Sequence, residues 1–119
     1  MQDVMKLKAA FKSRPVEITD EQGQVRRYTL RELDGKQRDQ WFSLMGDRVQ
    51  IEDGRVVGVR NFDGFQAALV SHCLYDEKGQ AVPIDEIQAL PARVQDALFR
   101  AAQELSALTE QSVADAKNG

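Results

Sequence analysis

Residues 16–46, VEITDEQGQVRRYTLRELDGKQRDQWFSLMG, combine two hydrophobic periodicities in one continuous stretch. Val16 to Thr19 alternates apolar and polar side chains, which is typical of a β-strand. Turn-forming residues follow at 20–23, and a second strand pattern begins at Val25. We therefore predict a β-hairpin whose loop holds three or four residues, since both lengths fit the pattern.

The end of the same stretch has helical spacing, and two capping boxes compete for the start of this helix. In a capping box, the cap residue and the residue three positions later satisfy each other's free backbone amides. One box begins at Thr29 and the other at Asp34. A start at Thr29 would place Gly35 inside the helix, which costs about 1 kcal/mol relative to alanine. We therefore predict a helix that begins at Asp34 and covers 34–46, with Trp41 on its apolar face.

A second hairpin is predicted where Asp53 and Gly54 separate two runs of alternating polarity. Asp-Gly suits a type I′ turn, because both central residues of that turn need positive φ angles. The two-residue loop sets Glu52 opposite Arg55 and places an apolar pair beside them. This hairpin adds a second antiparallel pair of strands to the fold.

Apolar residues spaced three and four positions apart predict three further helices. A short helix covers about 2–12, and the two others cover about 62–74 and 91–108. The chain is thus expected to form one α+β domain over residues 1–108. In this domain, two or three hairpins or short antiparallel strands pack against three main helices, with the short N-terminal helix beside them. A flexible polar tail is expected over 109–119.

Composition limits the classes of protein to which the chain can belong. It has 119 residues, of which 42% are hydrophobic and 29% are charged, as is usual for a globular domain. Its formal charge of −3 argues against a dedicated nucleic-acid-binding protein, which usually has a basic excess. No apolar run approaches the roughly 20 residues that span a bilayer, so no membrane contact is expected. The one cysteine, Cys73, cannot form an internal disulfide, which suits a reducing cytoplasm.

The sequence predicts no catalytic, cofactor or metal site, and hence no enzyme. His72 and Cys73 are neighbours, but adjacent side chains on a helix diverge and do not face each other. A structural zinc site would need about four suitable ligands, and the chain has one histidine and one cysteine. The single glycines form no phosphate-binding loop. These patterns favour a protein-binding module.

The chain resembles the tail assembly chaperones of long-tailed (siphovirus-type) bacteriophages and prophages. The stretches that carry the resemblance are VEITDEQGQVRRYTLRELDGKQRDQW at 16–41, DGRVVGVRNFDGFQAALVSHCLYDEKGQAV at 53–82 and LPARVQDALFRAAQELSALT at 90–109. Most informative is 69–82, where a helix ending in Cys-Leu runs into an Asp-x-x-Gly turn; residues 31–41 are the second indication. The resemblance extends over about 3–108.

This resemblance implies a non-enzymatic role in virion morphogenesis. Such chaperones bind the long, hydrophobic tape measure protein before the tail tube polymerises, keep it soluble, and help to recruit tail tube subunits. They act as several copies, so self-association is also implied. The expected location is the cytoplasm of the bacterial host, and the chaperone is not expected in the mature virion. Many weak contacts along one filament gain affinity from multivalency.

The resemblance also implies a longer form made by programmed ribosomal frameshifting in some members. Residues 116–119, Ala-Lys-Asn-Gly, permit a slippery heptamer A AAA AAY if the codons are spelled accordingly. We therefore expect a one-base backward slip within the last few codons. A coding sequence without this heptamer would remove the expectation but not the chaperone assignment.

Four aromatic residues are the candidates for protein-binding anchors, because aromatic side chains dominate interface energetics. They are Trp41, Phe42, Phe65 and Phe99. Most of the four are expected to belong to the core. Phe99 follows Leu98 on the last helix, and since neighbouring side chains diverge, one of these two is expected to face outward.

Two other function classes stay open at this stage. One is another small phage structural protein, such as a tail completion or head–tail joining subunit, which would remain in purified virions. The other is a small bacterial enzyme or regulator. An enzyme would gather polar groups in a cleft, and a regulator that binds DNA would do so in a salt-dependent way.

Overall fold

The computed structural model describes residues 3–46, 49–59 and 64–108. These residues form five strands and four helices, an α+β architecture as predicted. In chain order the elements are β1 (Ser13–Thr19), β2 (Val25–Arg31), α1 (Gly35–Gly46), β3 (Val49–Glu52), β4 (Arg55–Val59), α2 (Phe65–Cys73), β5 (Leu74–Tyr75), α3 (Ile84–Gln88) and α4 (Ala92–Leu105). None of these helices combines the length and the apolar content needed to cross a bilayer.

The main sheet has three antiparallel strands in the order β1-β2-β5. The predicted first hairpin is confirmed, with Thr19 opposite Val25 as its last pair of strand residues. Beyond that pair, the amide of Asp20 donates to the carbonyl of Gln24 over 2.9 Å, which encloses a loop of three residues. Gly23 in this loop has a φ of 82°. Of the two loop lengths that the sequence allowed, the shorter one is present.

One face of the main sheet carries the core. On β2, the fully buried Leu30 alternates with residues that are more exposed, so one face of the strand points inward. The helices α2 and α4 pack on this inner face, to which β5 contributes the buried Leu74. The buried apolar side chains are Leu30, Leu33, Trp41, Met45, Ala67, Leu69, Val70, Cys73, Leu74, Val82, Ile87, Leu98, Phe99, Ala102 and Leu108.

The capping box at Asp34 starts α1, as predicted. The amide of Asp34 donates to Oε1 of Gln37 over 3.0 Å, and the amide of Gln37 donates to Oδ1 of Asp34 over 2.8 Å. Gly35 is the first residue of the helix, where its flexibility costs least. Gln37 also donates through Nε2 to the carbonyl of His72 over 3.3 Å, which ties α1 to the end of α2.

The helix predicted over 62–74 is shorter in the structure. It begins at Phe65, because Gly64 before it has a φ of 72° and is not helical. It ends at Cys73, since the next two residues leave the helix to pair with β2 as strand β5. The predicted start of this helix at Phe62 lies outside the described residues.

The predicted N-terminal helix is wrong, because residues 3–12 form no regular secondary structure. The amide of Glu32 donates to the carbonyl of Lys12 over 2.9 Å, and the amide of Lys12 donates to Oε1 of Glu32 over 2.8 Å. These bonds extend the β1–β2 ladder by one step and hold the chain in a strand-like path. A helix of about eleven residues without tertiary contacts is marginal in water.

The remaining elements follow the sequence patterns closely. Strands β3 and β4 form a separate two-stranded sheet, with Glu52 opposite Arg55 as predicted. Asp53 and Gly54 between them both have positive φ angles, 51° and 74°. The last helix, predicted over 91–108, covers Ala92–Leu105, so it is shorter by one residue at its start and three at its end.

We expect Asp34→Ala to lower the free energy of unfolding by about 1 kcal/mol, because α1 then loses its cap. Urea unfolding of the two proteins measures this difference. Asp39→Ala is the matched control, since Asp39 is an exposed residue in the interior of the same helix. Equal stabilities of the two variants would contradict a stabilising role for the capping box.

Candidate functional site

Three of the four candidate aromatic residues form one cluster in which the main helices meet. The ring centroids of Trp41 and Phe65 lie 5.7 Å apart, those of Trp41 and Phe99 6.3 Å, and those of Phe65 and Phe99 5.2 Å. Trp41 is 2% exposed and Phe99 is 7% exposed, whereas Phe65 is half-buried. Each ring comes from a different helix, so the cluster joins α1, α2 and α4.

The fourth candidate, Phe42, is half-buried and packs against the core from α1. The expectation that Leu98 or Phe99 faces outward is wrong, since both are buried. Their side chains do diverge, but α4 is covered in both directions. Phe99 packs into the aromatic cluster, and Leu98 lies toward β1. Binding by the four aromatic residues stays a prediction, with Phe42 and Phe65 retaining some exposed surface.

Phe99→Ala should lower the free energy of unfolding by about 3–5 kcal/mol, because it removes one of the three clustered rings. Phe99→Leu, which keeps more apolar volume, should lose less. The matched control is Phe11→Ala, since Phe11 is half-exposed and outside the cluster. Urea unfolding of the three variants checks this order; a small loss in Phe99→Ala would mean that its ring is available as a surface anchor.

An apolar groove of about 420 Å³ lies between β1 and α4. This β1–α4 groove is lined by Val16, Glu17, Ile18, Arg93, Val94, Ala97, Leu98 and Ala101. The strand contributes residues 16–18, of which Val16 and Ile18 share one face, and the helix contributes residues from successive turns between 93 and 101. Its volume falls within the range of ligand-binding clefts, and six of its eight residues are apolar. The sequence pattern of neither segment predicted this groove.

The charged groups near the groove are exposed and of both signs, and Glu17 and Arg93 are among its lining residues. Arg14 lies 3.9 Å from Glu104, and Glu17 lies 3.7 Å from Arg27. Exposed ion pairs of this kind contribute at most about 1 kcal/mol. Because the pairs contain both signs, the groove has no strong preference for a charged ligand. Its apolar floor is therefore its main means of recognition.

The open edge of β1 restricts how a ligand can bind beside the groove. β1 is an edge strand of the sheet that the described residues form. The bonds that join Lys12 to Glu32 and Asp20 to Gln24 show that even-numbered residues of β1 bond to β2. Odd-numbered residues therefore direct their backbone groups outward, and Pro15 among them has no N–H to donate. A strand added at this edge would therefore receive no hydrogen bond from position 15. This favours recognition through side chains over pairing of strands.

The N-terminal arm, residues 3–11, is a second unusual surface. Val4, Met5 and Leu7 are 76%, 81% and 85% exposed. Burying such a side chain is worth about 1.5–3 kcal/mol, so this arm offers roughly 5–9 kcal/mol to a partner. At its end, the ring of Phe11 lies 4.2 Å from the Arg31 guanidinium carbon, a cation–π contact that fastens the arm to the sheet.

Cys73 and His72 show no arrangement for catalysis. The side chain of Cys73 is fully buried, and burial raises the pKa of its thiol from 9.0 to about 12. A thiol with a raised pKa is a poor nucleophile at neutral pH. Among the described residues, histidine, cysteine and acidic side chains form no group of three or more that could bind a metal.

The raised pKa of Cys73 predicts that stability falls with pH above about 9. Between pH 9 and 12 the thiol ionises in the unfolded state but keeps its proton in the folded state. Ionisation therefore stabilises the unfolded state relative to the folded state. The free energy of unfolding should fall by up to about 1.4 kcal/mol per pH unit from this group. Urea unfolding between pH 8 and 10.5 measures the slope, and Cys73→Ala should show a shallower one. Parallel slopes in both proteins would contradict the assignment.

Comparison with known proteins identifies a structural relative but no sequence relative. No family model matches the sequence, and no curated protein matches it significantly. The tail assembly chaperone of bacteriophage HK97 has a similar structure, with a TM-score of 0.53 and 20% sequence identity. The similarity covers 85% of this chain and 86% of the HK97 chain. The chain therefore shares its fold with a phage tail assembly chaperone, as the sequence resemblance implied.

Proposed function

We propose that this protein is a non-enzymatic phage tail assembly chaperone that binds the tape measure protein and keeps it soluble until the tail tube forms. The observation that carries the proposal is the fold shared with the HK97 chaperone over 85% of the chain. The sequence resemblance supports it independently of that likeness. The chain would act in the cytoplasm of the bacterial host and would leave before the virion matures.

The β1–α4 groove is the proposed contact surface for the tape measure protein. An open apolar groove suits an amphipathic helix, whose apolar residues at three- and four-residue spacing can enter it together. Ala97 and Ala101 keep the helical wall of the groove low, so that bulky side chains of a client fit against it. The groove is too open to enclose a small molecule, and its size matches a few side chains of a protein segment.

Weak binding at this groove is enough if several copies act along one client. A single groove buries a few apolar side chains, which yields modest affinity after the cost of association is subtracted. A long client offers many similar segments, and copies that also touch each other gain effective concentration. Recruitment of tail tube subunits and a frameshifted longer form are further parts of the proposal.

The central experiment co-expresses the chain with its tape measure protein and measures the soluble complex by light scattering. We expect a complex with several copies of the chain. Ala97→Glu should reduce the amount of soluble tape measure protein several-fold, because it places a charge in the groove at an exposed position. Ala92→Glu is the matched control: it makes the same change on the same helix, outside the groove, and should behave like the unaltered protein.

The outcomes separate the candidate functions. An insoluble tape measure protein beside the unaltered chain would overturn the chaperone proposal. Detection of the chain in purified virions would favour a tail completion or head–tail joining subunit instead. A soluble complex that Ala97→Glu leaves intact would keep the chaperone function and move its contact surface away from the groove.

A further inference from the structure

We infer that Arg93 makes the β1–α4 groove selective for one class of client segment. This segment is an apolar helix that carries an aspartate or glutamate one helical turn beyond the apolar side chains that enter the groove. The inference rests on the proposed function, because it describes the client of that same groove. It adds a chemical criterion by which the chain distinguishes among the apolar stretches of a long client.

The two ends of the groove differ in their charged groups. Arg14 precedes the groove residue Val16 on β1, and Glu104 follows the groove residue Ala101 on α4. Arg14 and Glu104 lie 3.9 Å apart, so an ion pair links the strand to the helix at this end. Arg93 is the first groove residue of α4 and therefore lies at the opposite end. One end thus carries a neutral pair of charges, and the other carries a cation.

Arg93 has an exposed side chain and forms no ion pair with another of the described residues. Glu17, the acid that lines the groove, lies 3.7 Å from Arg27 and is compensated by it. Asp96, one turn after Arg93 on the same helix, lies 3.1 Å from Arg100 instead.

The groove therefore has a local excess of positive charge. Its two ion pairs, Arg14 with Glu104 and Arg27 with Glu17, are each neutral, and the guanidinium of Arg93 is added to them. The chain as a whole has the opposite sign, with a formal charge of −3. Since complementary charges across an interface determine specificity, the groove is suited to a client that carries an acid at this end.

The length of the groove sets the spacing of the client residues. The apolar part of its helical wall extends from Val94 to Ala101, which is two turns of α4 or about 11 Å. A client helix of two turns places two apolar side chains, three or four positions apart, against this wall. A side chain one turn further along the client reaches the end at which Arg93 lies. The client pattern is therefore two apolar residues and one acid, each three or four positions from the next.

The charge contributes selectivity, whereas the apolar floor contributes most of the affinity. An exposed ion pair changes a dissociation constant by at most about fivefold. A change of this size agrees with the exposed position of Arg93 at the rim of the groove. With several copies along one client, a small preference at each copy is multiplied over the whole complex.

The direct test measures binding of the full chain to immobilised, overlapping peptides of about 15 residues that cover the tape measure protein. We expect the bound peptides to be enriched in the pattern of two apolar residues and one acid. Arg93→Glu should bind them about two- to fivefold more weakly. This variant should fold normally, because an acid is favourable in the first turn of a helix. Arg38→Glu, the same change at an exposed position of α1, is the matched control and should bind like the unaltered chain.

A charge exchange on the most tightly bound peptide isolates the contact with Arg93. Replacing the acid of this peptide by lysine should weaken its binding to the unaltered chain and restore binding to Arg93→Glu. Such reciprocal coupling is expected only of groups that interact directly. Equal binding of the two peptides by the unaltered chain would overturn the inference.

Ala97→Glu distinguishes a failure of this inference from a failure of the proposed function. If Ala97→Glu prevents peptide binding and Arg93→Glu leaves it unchanged, the groove is the contact surface but does not select acids, and the inference alone is overturned. If the unaltered chain binds no peptide, or if Ala97→Glu leaves binding intact, the groove is not the contact surface and both proposals about it are overturned.

Discussion

The packing of α4 between the aromatic cluster and β1 is the constraint on which the other surfaces depend. Phe99 holds one side of the helix against the rings of Trp41 and Phe65, and Leu98 turns toward β1. Because the adjacent residues Phe99 and Leu98 are fixed in opposite directions, α4 cannot rotate about its axis without opening the core or losing its contact with the sheet. The walls of the β1–α4 groove are therefore set by the core, and the groove exists before any ligand binds.

Local features were predictable because their causes are local. The Asp34 cap and the Asp53-Gly54 turn each depend on residues within a few positions, and both are present as predicted. A further local signal, which the predicted elements did not include, is the recurrence of DEQGQ at 20–24 as DEKGQ at 76–80. Both loops have the same hydrogen bonds, in which the aspartate Oδ1 accepts two amides. The recurrence indicated that β5 would turn back on itself, and Tyr75 does form a bridge with Ala81.

The groove and the arm were not predictable, because their causes are distant. The groove joins residues 16–18 to residues 93–101, and nothing in either segment alone indicates that they meet. Its alanines are also good helix formers, so they carry no separate signal of binding. The arm has helical spacing at Val4 and Leu7, but Lys12, which follows it, is held by Glu32 in a strand-like path. Tertiary contacts therefore override the local pattern, and surface that a helix would have turned inward is left exposed.

Exposed apolar surface and an open strand edge carry two risks of unwanted association for this chain. A groove that can receive many apolar segments also risks adhesion to unrelated proteins, and an open strand edge adds the risk of sheet extension. In this chain Pro15 limits the second risk by removing a donor from the edge of β1.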